Sequence, residues 1–192
     1  MAEEEKAAEV LNRGGLVIFP TETVFGIGCL INNKETVARL YRLKKREESQ
    51  PTLALVKNLE MAQSWVEFNG KALELVESFW PGPLTIALPC RKNVSEELLG
   101  PGNSLAVRVS SNTFIKELFE LIDQPLLAPS ANFKGEQAPR KLSEIDKSLA
   151  SKVDYVVPVE PEGAQPSTII SFAGSGYNIV REGSISKKQL KI

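Results

Sequence analysis

A mixed fold of class α/β (α+β) is predicted for this chain by three features of its sequence. Short apolar segments alternate with segments of helical spacing, the last two apolar segments are joined by the turn A-G-S-G, and no repeat or long linker interrupts the chain. Alternation of this kind builds a sheet that carries helices, and the short turn predicts an antiparallel hairpin. The 192 residues, 42% of them hydrophobic, suit one compact domain over 1–192.

The individual elements follow from apolar runs and from capping residues. Strands are predicted at 16–19, 26–30, 52–56, 84–88, 105–109, 126–128, 155–157, 167–172 and 177–181. Helices are predicted at about 3–13, 33–45, 59–67, 70–79, 112–122 and 143–150. Gly14 and Gly15 end the first helix, and Asn33 caps the second.

Composition excludes several kinds of protein. Lys and Arg number 23 against 24 Asp and Glu, so binding to nucleic acid through bulk positive charge is not expected. The absence of histidine rules out a Ser-His-Asp triad and a mixed Cys/His zinc site. Cys29 and Cys90 lack the spacing of a disulfide framework or a thiolate metal site and are expected to be ordinary thiols. An acidic N-terminus and the lack of a long apolar run predict a cytoplasmic protein that does not enter membranes.

Two predicted strands run into similar polar segments. The first is followed by P-T-E-T at 20–23 and the sixth by P-S-A-N at 129–132. Ligands of open α/β sheets usually bind at strand ends, where hydroxyl and amide groups can hold a polar ligand. The same residue types are common in ordinary turns, so both interpretations remain open at this point.

Positive charge is concentrated at the end of the second helix. The segment 39–46 reads R-L-Y-R-L-K-K-R, and Lys44 falls on the apolar side of the helix with Arg46 just beyond it. A lysine and an arginine together are suited to a polyphosphate, because one supplies a point charge and the other a planar fork. A basic helix end that faces solvent is the alternative.

Two arginines lie in predicted strands. Arg108 alternates with Val107 and Val109, so its side chain needs a partner, which is either a structural carboxylate or the carboxylate of a substrate. Arg181, at the end of the last strand, likewise needs either a structural or a substrate carboxylate as its partner.

The segment W-P-G-P-L-T at 80–85 is rigid and is expected to be structural. Neither a P-loop nor a G-x-G-x-x-G motif is present.

Taken in order, these motifs resemble a known family. P-T-E-T-V-F-G-I-G, the K-x-R of Lys44 and Arg46, W-P-G-P-L-T, L-A-V-R-V, A-P-S-A-N, S-T-I-I and R-E-G together resemble the YrdC-like threonylcarbamoyl-AMP synthases over residues 8–185. The resemblance implies a twisted mixed sheet with an open, positively lined concave cavity. It also implies that L-threonine, bicarbonate and ATP, with Mg²⁺, are converted to threonylcarbamoyl-AMP and pyrophosphate.

The resemblance further implies a partner and a set of site residues. The product would pass to a separate transferase complex that modifies adenosine 37 of ANN-decoding tRNAs. Lys44, Arg46, Ser130 and Asn132 would be the catalytic residues and would bind ATP, with further nucleotide contacts from Gln50, Ser104 and Arg181. Threonine would be held by Thr23, Arg108, Ala128 and Ser167. No metal ligands in the protein are predicted. Such chemistry needs positioning and charge neutralisation rather than a histidine.

The sequence departs from the family pattern at a few positions. Glu47 replaces a usual proline, Thr52 a leucine, Leu55 a histidine of many relatives, and Ser110 the proline of R-x-P. The end of the chain at Ile192 leads us to expect that the C-terminal domain of longer relatives is absent. Two other functions remain open. One is a non-catalytic module that binds tRNA or double-stranded RNA, and the other is a carbamoyltransferase domain that uses carbamoyl phosphate.

Overall fold

The structure, a computed structural model, describes residues 1–44, 52–92, 94–163, 165–172 and 176–191. Within these residues the α-helices are α1 (Glu3–Asn12), α2 (Lys34–Lys44), α3 (Leu59–Trp65), α4 (Gly70–Phe79), α5 (Thr113–Leu118), α6 (Lys147–Ala150) and α7 (Lys187–Leu190). The strands are β1 (Val17–Phe19), β2 (Gly26–Gly28), β3 (Leu53–Leu55), β4 (Leu84–Pro89), β5 (Ser104–Arg108), β6 (Leu126–Leu127), β7 (Tyr155–Val156), β8 (Thr168–Ser171) and β9 (Asn178–Arg181).

The strands form two sheets of mixed direction. The larger has the order β6-β3-β5-β4-β8-β9, and the smaller has the order β2-β1-β7. In the larger sheet, β3 is parallel to β5 and β4 is parallel to β8, while the other neighbours are antiparallel. In the smaller sheet, β1 is antiparallel to β2 and parallel to β7. The mixed α/β class predicted from the sequence is therefore confirmed, with its strands divided between two sheets.

Backbone contacts join the two sheets beside β6. The amide of Leu127 donates to the carbonyl of Cys29 at 2.9 Å, and isolated bridges pair Gly26 with Ser130 and Leu30 with Leu126. The approach is so close that a Cβ atom on Gly28 would lie 1.5 Å from the carbonyl oxygen of Leu127. Glycine is therefore required at residue 28, and this junction brings the P-S-A-N segment against β2.

The core continues across this junction. One buried apolar cluster includes Ile18 and Ile27 of the smaller sheet together with Ile86 and Val107 of the larger one. A second cluster packs α1 and α5 against Phe19, Leu55 and Leu126. Burial of these side chains is the main stabilising contribution to the arrangement.

Helix α2 matters most for the site because it carries Lys44. The side chain of Asn33 accepts a hydrogen bond from the amide of Thr36 at 3.1 Å, which confirms the predicted cap. The buried residues of the helix, Thr36, Val37, Leu40 and Lys44, recur at helical spacing. The apolar stripe thus continues into a buried lysine at the end of the helix.

The predicted elements are largely confirmed. Each of the nine predicted strands exists within two residues of its expected ends. The helix expected over 112–122 ends at Leu118, and the one expected over 143–150 begins at Lys147, where the Asp146 side chain caps it. Helix α7, capped by Ser186 and Gln189, was not predicted. Among the described residues, no helix has the length and apolar character needed to cross a bilayer.

The two cysteines differ in environment. Cys29 is buried in the core, and burial raises the pKa of its thiol to about 12. Cys90 is partly exposed, and burial, opposed by a hydrogen bond with the backbone of Lys92, raises the pKa of its thiol as well. Neither thiol is poised to be a thiolate at neutral pH.

Candidate functional site

A cavity of about 490 Å³ lies where the ends of several strands meet. Its walls come from the segment after β1, the end of β5, the segment after β6 and the start of β8. Eight of the residues predicted from the sequence line it: Thr23, Lys44, Arg108, Ala128, Ser130, Asn132, Ser167 and Arg181. The structure thus brings together residues that lie up to 158 positions apart in the chain.

The charged residues that line the cavity share one sign. They are Lys44, Arg108, Lys134 and Arg181, and no acidic side chain lines the cavity among the residues that the structure describes. A recess with this charge attracts anions and raises their local concentration. The cavity is therefore suited to a ligand that carries several negative charges.

Lys44 is fixed against the P-S-A-N segment. Its side chain is 8% exposed, and its ammonium group donates to the carbonyl of Ser130 at 2.6 Å and to the carbonyl of Asn132. The Ser130 hydroxyl donates to Oδ1 of Asn132 at 2.5 Å, and Nδ2 of Asn132 donates to the carbonyl of Glu136 at 2.7 Å. Lysine, serine and asparagine therefore form one polar cluster, as the hypothesis of a phosphate site requires.

Arg108 has a structural carboxylate as its partner. Its Nε atom lies 3.3 Å from Oε1 of Glu22, and both side chains are buried. Its Nη1 atom lies 3.5 Å from the hydroxyl of Thr23. Burial lowers the pKa of Arg108, and the charge of Glu22 opposes this shift. The first of the two partners suggested by the sequence is thus present, while the guanidinium also faces the cavity.

Arg181 is held by Ser167. Its Nε and Nη2 atoms donate to the carbonyl of Ser167 at 3.0 and 2.9 Å, and Nη2 also lies 3.2 Å from the Ser167 hydroxyl. Burial and then the nearby charge of Arg108 lower the pKa of Arg181. The two arginines are therefore close enough to repel each other, which favours an anion between or beside them.

Some cavity residues were not found from the sequence. The Thr85 hydroxyl lies 2.8 Å from that of Ser167, whereas the sequence predicts a structural role for its W-P-G-P-L-T motif. The Thr21 hydroxyl bonds to the Thr23 hydroxyl at 2.8 Å and accepts from the amides of Thr23 and Val24. The sequence did contain a signal for both residues, because each is a hydroxyl residue of a motif beside a predicted strand. Thr85 lies at the start of the strand predicted at 84–88, and Thr21 follows Pro20 at the end of the strand predicted at 16–19.

Other predicted residues lie elsewhere. Ser104 is fully buried at the start of β5, donates to the carbonyl of Pro101 at 2.8 Å and does not line this cavity. It shares a face of the strand with Arg108 but lies four residues earlier, so the strand separates the two side chains by about 13 Å. The nucleotide contact expected of Ser104 stays a prediction. Arg46, Gln50 and Glu47 lie outside the described residues.

The described residues do not fit a metal site built by the protein. No group of three or more His, Cys, Asp or Glu side chains among them is arranged to hold a metal ion. Glu22, the carboxylate nearest to Arg108, is already engaged by Arg108 and by the hydroxyl of Ser110. Mg²⁺ at nucleotide sites is commonly held by one or two carboxylates together with the phosphates of the substrate.

Comparison with protein families agrees with this arrangement. The family model for Sua5, YciO and YrdC, described as "Telomere recombination", matches residues 9–183. The chain belongs to this family. The curated threonylcarbamoyl-AMP synthase of Xanthomonas campestris pv. campestris (strain B100) is 32% identical over 169 residues, which cover 86% of this chain and 90% of the relative.

Solved structures of Sua5/YciO/YrdC proteins resemble the chain as well. P. abyssi Sua5, solved in complex with L-threonine, superposes with a TM-score of 0.91 at 28% identity and covers all of this chain. This chain spans 57% of the length of that Sua5 chain. E. coli YciO superposes with a TM-score of 0.85 at 24% identity, covering 97% of this chain and 92% of YciO, which shows a shared fold.

Proposed function

We propose that the chain is a threonylcarbamoyl-AMP synthase, an enzyme that forms threonylcarbamoyl-AMP and pyrophosphate from L-threonine, bicarbonate and ATP. The observation that carries the proposal is the single cavity that joins the cluster of Lys44, Ser130 and Asn132 to the buried guanidinium of Arg108. The name of the Xanthomonas relative and the threonine bound to P. abyssi Sua5 support it.

The amino acid would bind beside Arg108. An arginine can hold a carboxylate through two parallel hydrogen bonds, and Arg108 is buried where such bonds are strengthened by the loss of water. The hydroxyls of Thr23 and Ser167 and the backbone near Ala128 would then contact the remaining polar groups of threonine. This is the threonine subsite predicted from the sequence, extended by Thr85.

The nucleotide would bind along the cationic part of the wall. Lys44 would offset charge on the phosphates, with Ser130 and Asn132 as hydrogen-bonding neighbours and Arg181 as a second cation. ATP would bind as its magnesium complex, in which phosphate oxygens and waters hold most of the ion's coordination positions. The contributions predicted for Arg46 and Gln50 remain part of the proposal.

The reaction is a transfer of an adenylyl group. The amine of threonine adds to carbon dioxide from bicarbonate and loses a proton, which yields a carbamate. A carbamate oxygen then forms a bond to the α-phosphorus of ATP. The bond from the α-phosphorus to the oxygen that bridges to the β-phosphorus breaks, and pyrophosphate leaves. The protein supplies alignment and positive charge, which are the main requirements of phosphoryl chemistry.

Several wider assignments belong to the same proposal. The labile product would be passed to a tRNA threonylcarbamoyl transferase complex for modification of adenosine 37, and the enzyme would act in the cytoplasm. Direct contact with tRNA remains a prediction. Residues 1–192 would act as one domain, which is supported by the core cluster that both sheets share.

The decisive experiment measures pyrophosphate release with ATP, Mg²⁺, bicarbonate and L-threonine. We expect release that requires all of these substrates, together with a product whose mass is that of threonylcarbamoyl-AMP. Absence of threonine-dependent release would reject the proposal. Tight binding of double-stranded RNA by the inactive protein would then support the RNA-binding function, and turnover with carbamoyl phosphate would support the carbamoyltransferase.

A further inference from the structure

The guanidinium of Arg108 has unused hydrogen-bonding capacity on its cavity side. The residue is 2% exposed, and among the described residues its guanidinium pairs with Glu22 at Nε and with Thr23 at a long 3.5 Å from Nη1. Among the described residues, none accepts a hydrogen bond from Nη2. The buried guanidinium nitrogen that lacks a hydrogen-bond partner is Nε, which forms an ion pair with Oε1 of Glu22 without hydrogen-bond geometry. Nη2 is therefore available to an acceptor in the cavity that Arg108 lines.

The opposite side of the guanidinium is occupied by Glu22. Its Oε1 atom faces Nε at 3.3 Å, and Glu22 itself does not line the cavity. A carboxylate can approach an arginine either across Nε and one Nη atom or across both Nη atoms. Because Glu22 stands at Nε, only the second approach is open to a ligand from the cavity.

Glu22 is in turn held by Ser110. The Ser110 hydroxyl donates to Oε2 of Glu22 and accepts from the amide of Asn112 at 3.2 Å. Since the amide can only donate, the hydroxyl proton is directed at the carboxylate. Ser110 is itself buried, so the orientation of Glu22 is fixed from both sides.

We infer that Glu22 and Ser110 are positioning residues for Arg108, which hold its Nε side so that both Nη groups face the carboxylate of the bound amino acid. The inference deepens the proposed function and rests on it. Glu22 also offsets the repulsion between Arg108 and Arg181, whose charges face the same cavity. Loss of the carboxylate charge would therefore free Arg108 to turn away from the ligand.

The test compares the binding of L-threonine with that of L-threoninol, which lacks the carboxylate. Isothermal titration is performed on the wild type, Glu22→Gln and Ser110→Ala. We expect the Kd for L-threonine to rise at least tenfold in Glu22→Gln, which loses a buried ion pair, and roughly threefold in Ser110→Ala, which loses a hydrogen bond to the carboxylate. The Kd for L-threoninol and for ATP should stay within about twofold of the wild type.

Matched controls and a second variant keep the result interpretable. Glu160→Gln and Ser64→Ala change exposed residues outside the cavity and should bind L-threonine as the wild type does. Circular dichroism establishes that each variant is folded, and Ser110→Ala decides the matter if Glu22→Gln does not fold.

The possible failures can be told apart. Unchanged L-threonine binding in the folded variants overturns the inference, as does a parallel loss of L-threonine and L-threoninol binding, which would indicate general damage to the site. A wild-type protein that binds no L-threonine overturns the proposed function and this inference with it.

Discussion

The ammonium nitrogen of Lys44, at the end of α2, lies 2.6 Å from the backbone carbonyl oxygen of Ser130, 86 residues further along the chain. A lysine on the apolar face of a helix could instead have extended to solvent. Here it reaches the segment that follows β6 and joins the helix to the sheet junction. The charge of Lys44 is therefore fixed at the cavity wall before any ligand arrives.

Replacement of Lys44 by methionine should abolish most of the activity. We expect threonine-dependent pyrophosphate release to fall by roughly 100-fold, because an electrostatic contact to the transition state is lost. The free energy of unfolding should also fall, by about 1–3 kcal/mol, since two carbonyls lose a buried donor. Lys34→Met at the exposed start of α2 is the matched control. Activity of Lys44→Met near the wild-type value would contradict the proposed phosphate site.

A methyl group on Gly183 should disturb Arg181. An added Cβ would lie 2.2 Å from the carbonyl oxygen of Pro166 and 2.7 Å from that of Ser167, the atom that accepts from Arg181. We expect Gly183→Ala to lower kcat/KM for ATP roughly tenfold, or about 1.4 kcal/mol. Gly70→Ala has open space around its Cβ and should be as active as the wild type. Equal activity of both variants would show that Arg181 does not depend on this contact.

The Thr85 hydroxyl should contribute to threonine binding through Ser167. Thr85→Val keeps the shape of the side chain and removes one of the two partners of the Ser167 hydroxyl, the other being Arg181, so the KM for L-threonine should rise about fivefold. Thr36→Val is the matched control, because it removes another buried hydroxyl, which bonds to the carbonyl of Gly14 outside the cavity. Both variants should lose about 1 kcal/mol of stability, and only Thr85→Val should change KM.

Asp154 should make stability depend on pH. Burial raises its pKa, but the Arg39 side chain and the amide of Leu16 lower it more, so the net pKa lies below the ordinary value. The stabilisation is therefore complete above the unfolded pKa of about 3.9 and is lost as pH falls through the lower folded pKa. Asp154→Asn should cost on the order of 1 kcal/mol at neutral pH, since the pair is partly exposed.

Thermal unfolding between neutral and acidic pH measures this effect. The difference in Tm between the wild type and Asp154→Asn should shrink as the pH falls below about 4. If the difference in Tm stays constant over this range, the stability lost in Asp154→Asn has a steric cause, and the charge of Asp154 does not stabilise the fold.

The sequence by itself determined the element types and most of the candidate residues. Short apolar runs located every predicted strand, because a strand in the core needs apolar residues at its buried positions and these are visible in the sequence. The buried position of Lys44 followed from helical spacing in the same way. Ordered motifs supplied the family resemblance, which the family match over residues 9–183 then confirmed.

Only the tertiary structure decided which of these residues meet. It paired Arg108 with Glu22, joined Thr85 to Ser167 and left Ser104 outside the cavity. Each of these outcomes depends on contacts between segments distant in sequence, and on whether a neighbouring element covers a side chain. The hydrophobic pattern within an element indicates which of its faces is buried. The side chain that a buried residue contacts depends on how the sheets and helices pack together.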